Sequence, residues 1–271
     1  MDEKFRKAGL ASRLVSGVIL AAAVITCWVL GGKFIAGLIA VASLAGMGEF
    51  LFLFQKQGCH AMKAFGLALC AVFLAACAFM PAIPASVLIS AAFLLCALYG
   101  LFDWSREKGL DPLRKAAVVM CGILYMPALL APVMQFSRWE QLLIVLVPVV
   151  SDVAAYFAGV TFGSHSIWKS VSPKKSIEGS IAGFAASTAA ACALGAATGT
   201  AGMAAFAALG AAMAVMAQLG DFFESALKRA VDVKDSSRLI PGHGGVLDRL
   251  DSIVFCAGTY TAAAALHPFF G

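Results

Sequence analysis

The chain has 271 residues, of which 61% are hydrophobic and only 13% charged, and its formal net charge is +5; the mean hydropathy is +0.90. A soluble domain uses roughly 45–50% apolar and 25% charged residues, so an ordinary water-soluble fold is excluded, and so modest a positive excess implies no nucleic-acid partner. Several apolar runs reach the roughly 20 residues that cross a bilayer as a helix, and they are apolar all round rather than along one stripe. A barrel would show short alternating segments instead. The expected fold is therefore all-α, a polytopic integral membrane protein.

In chain order, the start M-D-E-K-F-R-K and Arg13 precede an apolar run from Leu14 to Leu30. That pattern resembles the charged and apolar regions of a signal peptide, but the run is long for one and further runs follow, so an uncleaved first span is expected. The other candidate spans are Phe34 to Phe54, Ala64 to Met80, Ala85 to Phe102, Ala116 to Phe136, Leu142 to Phe162, Ile181 to Thr198, Ala201 to Leu219 and Ile253 to His267. About nine spans result. With the N-terminus in the cytoplasm, of the 20 lysines and arginines all but Lys33 and Arg138 fall in the tail or in the stretches 55–63, 103–115, 163–180 and 220–252. Positive residues favour the cytoplasmic side, which supports this topology and puts the C-terminal P-F-F-G outside.

The first 140 residues are expected to form N-terminal spans with little chemical signal, and residues 141–271 a catalytic region with cytoplasmic loops 163–180 and 220–252. Eight cysteines are scattered through mostly apolar segments, with only Cys59 near a polar stretch. No pair has metal-ligand spacing, so they read as small buried hydrophobes. Glycine and alanine are dense from Gly179 to Ala217, as close helix packing in lipid requires.

Polar residues break this pattern in three places. In S-D-V-A-A-Y-F-A-G, Ser151 to Gly159, Asp152 sits within a candidate span, at a cost of about 3 kcal/mol on insertion scales. It reads as a functional or paired group facing the protein interior, sharing a helix face with Tyr156 and Gly159. Next, S-V-S-P-K-K-S-I-E-G-S, Ser170 to Ser180, reads equally as a mobile phosphate-binding loop or as positive-inside residues, Lys174 and Lys175, at the headgroup surface.

The third is Asp221 to Asp251, which concentrates acids, bases, a histidine and a glycine turn. If the preceding helix continues, Asp221, Glu224, Ser225 and Lys228 form one stripe at i, i+3, i+4 and i+7. Pro241, Gly242, Gly244 and Gly245 surround His243, a turn able to expose N–H groups to an anion. His243 is read as a phosphate donor or loop-positioning group ahead of an acid or base. Asp248 and Asp251 then recur one helical turn apart. Mg²⁺ commonly takes one or two carboxylates plus substrate phosphates, so Asp221, Asp248 and Asp251 are candidate ligands of a metal–polyphosphate site. No P-loop motif is present.

From Ser225 to Asp251 the chain resembles the signature of phosphatidate cytidylyltransferases (CDP-diacylglycerol synthases), through Ser225, Lys228, Arg229, Lys234, Asp235, Ser237, Ile240, Pro241, His243, Gly244, Gly245, Asp248, Arg249 and Asp251. Ser151 to Gly159 and S-P-K-K-S-I-E-G-S, Ser172 to Ser180, are similar to two further stretches of that family, while the first 140 residues agree only in hydropathy. Ser176 stands where threonine is common, and Val160 and Ser164 where basic residues are expected.

The resemblance implies an Mg²⁺-requiring membrane enzyme, a second cation being allowed, that joins CTP to phosphatidic acid to give CDP-diacylglycerol and pyrophosphate. It implies Asp221, Lys228, Asp248 and Asp251 as catalytic residues and Asp221, Asp248 and Asp251 as metal ligands. Ser151, Asp152, Lys174, Lys175, Ser225, Arg229, Lys234, His243, Gly244, Gly245 and Arg249 are implied to bind substrate. The expected setting is the inner (plasma) membrane with a cytoplasmic site, in a chain that admits a homodimer. Two other readings are weighed: a CTP-dependent enzyme acting on another lipid phosphate, and a secondary transporter. A transporter predicts midplane sites and internal repeats, whereas here the polar residues gather at cytoplasmic ends and no repeat is seen.

Overall fold

The computed structural model describes residues 3–55, 62–106, 108–240, 242 and 244–271, and the side chains of 3–14, 55 and 62 are left undescribed. Cys59, Pro241 and His243 therefore lie outside the described residues, and with them the expectations placed on His243.

The fold is nearly all helical. In order run α1 (Glu3–Leu30), α2 (Gly32–Gln55), α3 (Met62–Phe79), α4 (Ala85–Arg106), α5 (Asp111–Tyr125), the short α6 (Pro127–Leu130) with a 3-10 turn (Ala131–Gln135), α7 (Arg138–Phe162), α8 (Ile177–Thr198), α9 (Met203–Ala230) and α10 (Leu247–Ala264). Among the described residues, six stretches are long and apolar enough to cross a membrane: Gly32–Phe54, Ala85–Arg106, Asp111–Gln135, Arg138–Phe162, Ile177–Thr198 and Met203–Ala230. The sequence suggests nine. Val15–Leu30 and Lys63–Phe79 are apolar but shorter, and α10 spends its first turns on Asp248, Arg249 and Asp251.

The chain forms two compact units, one of 1–134 with 235–248, the other of 135–234 with 249–271. In the first, α2, α3 and α5 close on a core of Met47, Phe50, Val119, Ile123 and Met126, all buried. Small residues set the spacing: a Cβ on Gly66 would stand 2.7 Å from Leu51 Cδ1, and one on Gly122 2.7 Å from Met47 Sδ. Lys115 of α5 reaches Asp103 of α4 at 3.1 Å.

In the second unit, Gly179, Gly183, Ser187, Ala191 and Gly195 recur every four residues as the buried stripe of α8. Four-residue spacing keeps small side chains on one face, where two helix backbones can approach. A Cβ on Gly183 would lie 2.8 Å from the Ser151 carbonyl of α7, one on Gly210 2.7 Å from Ala191 Cβ, and one on Gly195 would overlap the Phe206 ring. The expected glycine- and alanine-based packing is what is found. At the start of α7, Ser137 and Glu140 form a capping box, and buried Tyr260 of α10 donates to Glu140 Oε1 at 2.7 Å, tying α10 to α7. The described cysteines form no disulfide; Cys70, Cys96 and Cys256 are buried, while Cys121 is exposed.

The stretch that reads equally as a phosphate-binding loop or as lysines at the headgroup surface contains a small hairpin. Strands β1 (Ser166–Trp168) and β2 (Ser172–Ser176) pair antiparallel with a register irregularity, and Ser176 leaves β2 as the N-cap of α8, its hydroxyl accepting from Gly179 N at 3.1 Å. The Glu178 carboxylate accepts from the backbone N–H groups of Ser164 and His165 at 3.2 and 3.3 Å and meets the His165 ring at 2.7 Å. The hairpin is thus anchored at its base.

Candidate active site

Helix α9 does continue past its apolar part to Ala230, carrying Asp221, Glu224, Ser225 and Lys228 on consecutive turns. Their surroundings differ from a solvated stripe. Glu224 is buried, 1% exposed, and is ion-paired with Lys228 one turn on. Ser225 donates to Asp221 Oδ1 at 3.3 Å. Asp221 is also ion-paired with Lys175 of β2, whose ammonium lies 4.5 Å from the centroid of the Phe222 ring.

Around this pair the second unit collects charge. Asp251 feels Asp221, Asp152 and Lys175, and Asp152 feels Asp221, Lys175 and Arg249, so α7, β2, α9 and α10 each contribute to one electrostatic cluster. All three carboxylates interact with Lys175, and Asp152 also with Arg249. Asp251, which lies outside the six candidate spans, has its carboxyl pushed up to about 7, first by burial and then by the Asp221 charge. Such a carboxylate gains from a neighbouring cation. Gly220 is what lets α9 approach here, since a Cβ on it would lie 2.5 Å from the Asp251 carbonyl. Asp221 and Asp251, distant in sequence, thereby interact, while Asp248 belongs to the other unit.

Other expectations fare differently. Asp152 is exposed rather than turned into the protein interior. Ser151 is 1% exposed, its hydroxyl has no hydrogen-bond partner, and it packs where Gly183 crosses α7, the place of a packing residue. Lys174, Arg229, Lys234 and Arg249 are exposed. Among the described residues no three His, Cys, Asp or Glu side chains are grouped to hold a metal ion.

The glycine turn belongs to the first unit. Gly242 and Gly244 have φ of 76° and 83°, values that an L side chain rarely adopts and glycine adopts freely. Ile240 N donates to the Gly244 carbonyl at 2.9 Å, closing the turn. Asp248 then folds back on it: Oδ2 accepts from Gly245 N at 2.8 Å, Ser236 N at 3.0 Å and Ser236 Oγ at 2.9 Å. The expected phosphate nest is therefore partly filled by the chain's own carboxylates. Gly245 N serves Asp248, and the next two N–H groups serve a residue the sequence reading passes over.

That residue is Glu49 of α2, 7% exposed. Its Oε1 accepts from Ser237 Oγ at 2.6 Å and Val246 N at 3.0 Å; its Oε2 accepts from Leu247 N at 2.7 Å and Ser236 Oγ at 2.9 Å. A signal existed. Glu49 is a lone acid inside the apolar run 34–54, and an ionisable residue in such a run is a functional candidate by the same reasoning that singles out Asp152.

Comparison with known proteins gives the chemistry a context. Residues 11–267 match the model of the cytidylyltransferase family. A phosphatidate cytidylyltransferase of Thermotoga maritima is 28% identical over 256 residues, covering 92% of this chain and 93% of that protein. Proteins of the same name from Staphylococcus haemolyticus and Helicobacter pylori are 32% identical over 172 residues (62% of this chain, 64% of that one) and 40% identical over 114 residues (42% of each).

Proposed function

The chain belongs to the cytidylyltransferase family, and on that premise we propose that it transfers the cytidylyl group of CTP to phosphatidic acid, giving CDP-diacylglycerol and pyrophosphate. The observation that carries the proposal is the cluster of Asp152, Lys175, Asp221, Arg249 and Asp251 in a unit otherwise made of apolar helices. Charges of both signs gathered among apolar helices are expensive to keep and are retained where anions and a cation must be handled.

A lipid phosphate is already an anion near neutral pH, so its oxygen attacks the α-phosphorus of CTP with little help from a base. The new P–O bond forms as the bond to the β-phosphate breaks and pyrophosphate leaves. The demanding part is to hold two anionic reactants in line. Lys175, with Lys174, Arg229, Lys234 and Arg249, supplies positive charge for the phosphates, and the Lys175–Asp221 ion pair fixes the Lys175 ammonium. Lys228 balances buried Glu224. Gly244, with no side chain, permits close approach of the triphosphate to the turn.

Asp221 and Asp251 suit Mg²⁺: they are neighbours, one is destabilised as an anion by the other, and such a cation needs only one or two carboxylates with substrate phosphates completing its shell. When bound, the ion neutralises charge developing on the phosphate oxygens. The expectation that Asp248 joins them rests on its motif, and its Oδ2 has the further duty of closing the turn. We place the protein in the inner membrane with the N-terminus and the site on the cytoplasmic side, where CTP is found, the positive-inside count supporting that orientation. The acyl chains then enter from the bilayer.

The acceptor is tested with purified full-length protein in detergent, CTP and Mg²⁺, offered phosphatidic acid, an isoprenoid glyceryl phosphate and phosphatidylglycerol in parallel. CDP-lipid is expected from phosphatidic acid at a rate at least about tenfold above the others, a difference of about 1.4 kcal/mol in transition-state stabilisation. Preference for the isoprenoid acceptor would move the assignment to a different lipid phosphate.

A further inference from the structure

The carboxylate of Glu49 reaches both ends of the segment that contains the glycine turn: Ser236 and Ser237 at its entry, Val246 and Leu247 at its exit. Both carboxylate oxygens are engaged, each by one hydroxyl and one backbone N–H. A charged acceptor of this kind, nearly withdrawn from water, makes hydrogen bonds about twice as strong as neutral ones. The exit bonds also supply acceptors to N–H groups at the start of α10, which no residue within that helix could satisfy. Gly245 is part of the same fitting. A Cβ there would run into Ser236 Oγ and the Glu49 carboxylate, although its backbone is one that other residues adopt.

We infer that Glu49 is a positioning residue for the reaction: it clamps the base of the 236–247 segment so that the turn around Gly242 and Gly244 is presented in one conformation to the triphosphate. It touches no substrate itself. The inference rests on the proposed function for its link to CTP, while the clamp itself does not. Ser236 sharpens the geometry, since its single hydroxyl hydrogen faces oxygens of both Glu49 and Asp248 at 2.9 Å. With one hydrogen for two acceptors, the carboxylates depend on the backbone N–H groups as well, and a neutral amide at position 49 could not replace Glu49. Its oxygen would accept on one side only, and its NH₂ would face donors on the other.

The test uses full-length protein in detergent and the variants Glu49→Gln, Glu49→Asp and Ser237→Ala. Two quantities are read: the apparent KM for CTP and for phosphatidic acid, and the rate of trypsin cleavage after Arg238 without substrates, which requires the segment to open. Glu49→Gln is expected to raise the KM for CTP about tenfold or more, the scale of a lost hydrogen bond to a charged group, with the KM for phosphatidic acid within about twofold of the parent. Cleavage after Arg238 is expected to quicken. Glu49→Asp should restore part of both effects, and Ser237→Ala should show both more weakly; these two decide the matter if Glu49→Gln does not fold. Unchanged cleavage in the folded variants overturns the clamp. Faster cleavage with both KM values unchanged, or raised equally, overturns the link to nucleotide positioning. If the parent makes no CDP-lipid, the proposed function fails, and the cleavage rates still judge the clamp.

Discussion

Asp221 and Asp251 carry the sharpest residue-level expectation. Replacing either with asparagine keeps the shape and removes the charge that a cation needs. Asp221→Asn and Asp251→Asn should each lower turnover by about 100-fold or more, a loss typical of removing one electrostatic stabiliser of a transition state. Size-exclusion profiles and thermal unfolding should stay near the parent: both changes relieve the repulsion between Asp221 and Asp251, which in Asp221→Asn offsets the lost ion pair with Lys175. Gly245→Ala makes a separate demand. Its methyl group would meet Ser236 Oγ and the Glu49 carboxylate, so CTP-dependent turnover should fall at least about tenfold, consistent with a local rearrangement costing about 1–3 kcal/mol. Full activity in purified Gly245→Ala would contradict the observed closeness of that turn to α2.

The α8 stripe makes the test at the level of elements. Gly183→Val adds a Cβ 2.8 Å from the Ser151 carbonyl and 3.3 Å from Ala155 Cβ, with two methyl groups beyond it, and overpacking of this kind costs about 1–3 kcal/mol. The expected result is a clear fall in the detergent melting temperature. Gly202→Ala, at a glycine whose added Cβ would meet nothing within 4 Å, should melt with the parent. Much of this architecture was legible beforehand, because hydropathy marks helices and glycine or alanine at four-residue spacing marks a close crossing. The continuation of α9 through Asp221 to Lys228 was legible for the same reason. The 163–180 hairpin was not: its strands are three and five residues long, too short for periodicity, and its order comes from contacts such as Glu178 with Ser164 and His165. Nor was the engagement of the glycine turn by Glu49, a contact across 187 residues to Ser236 that a local motif cannot encode. The packing role of Ser151 was hidden similarly, since its motif neighbour Asp152 drew the functional reading.

For the whole molecule, helix length and composition mark six candidate spans, while the distribution of lysine and arginine favours nine with the N-terminus inside. Topology separates the two. In a background lacking native cysteines, Ser164→Cys at the base of the hairpin should react with an impermeant thiol reagent only from the cytoplasmic side, and a cysteine added after Gly271 only from outside; labelling of both from one side would reject the nine-span arrangement. The central claim concerns chemistry and is tested most directly by the fate of the CTP phosphates. Full-length protein is supplied with phosphatidic acid, Mg²⁺ and CTP labelled either at the α- or at the γ-phosphorus. Cytidylyl transfer predicts that α-label enters the lipid and γ-label appears in pyrophosphate, in equal amounts and only when both substrates are present. Entry of γ-label into lipid, or release of pyrophosphate without any labelled lipid, would contradict it.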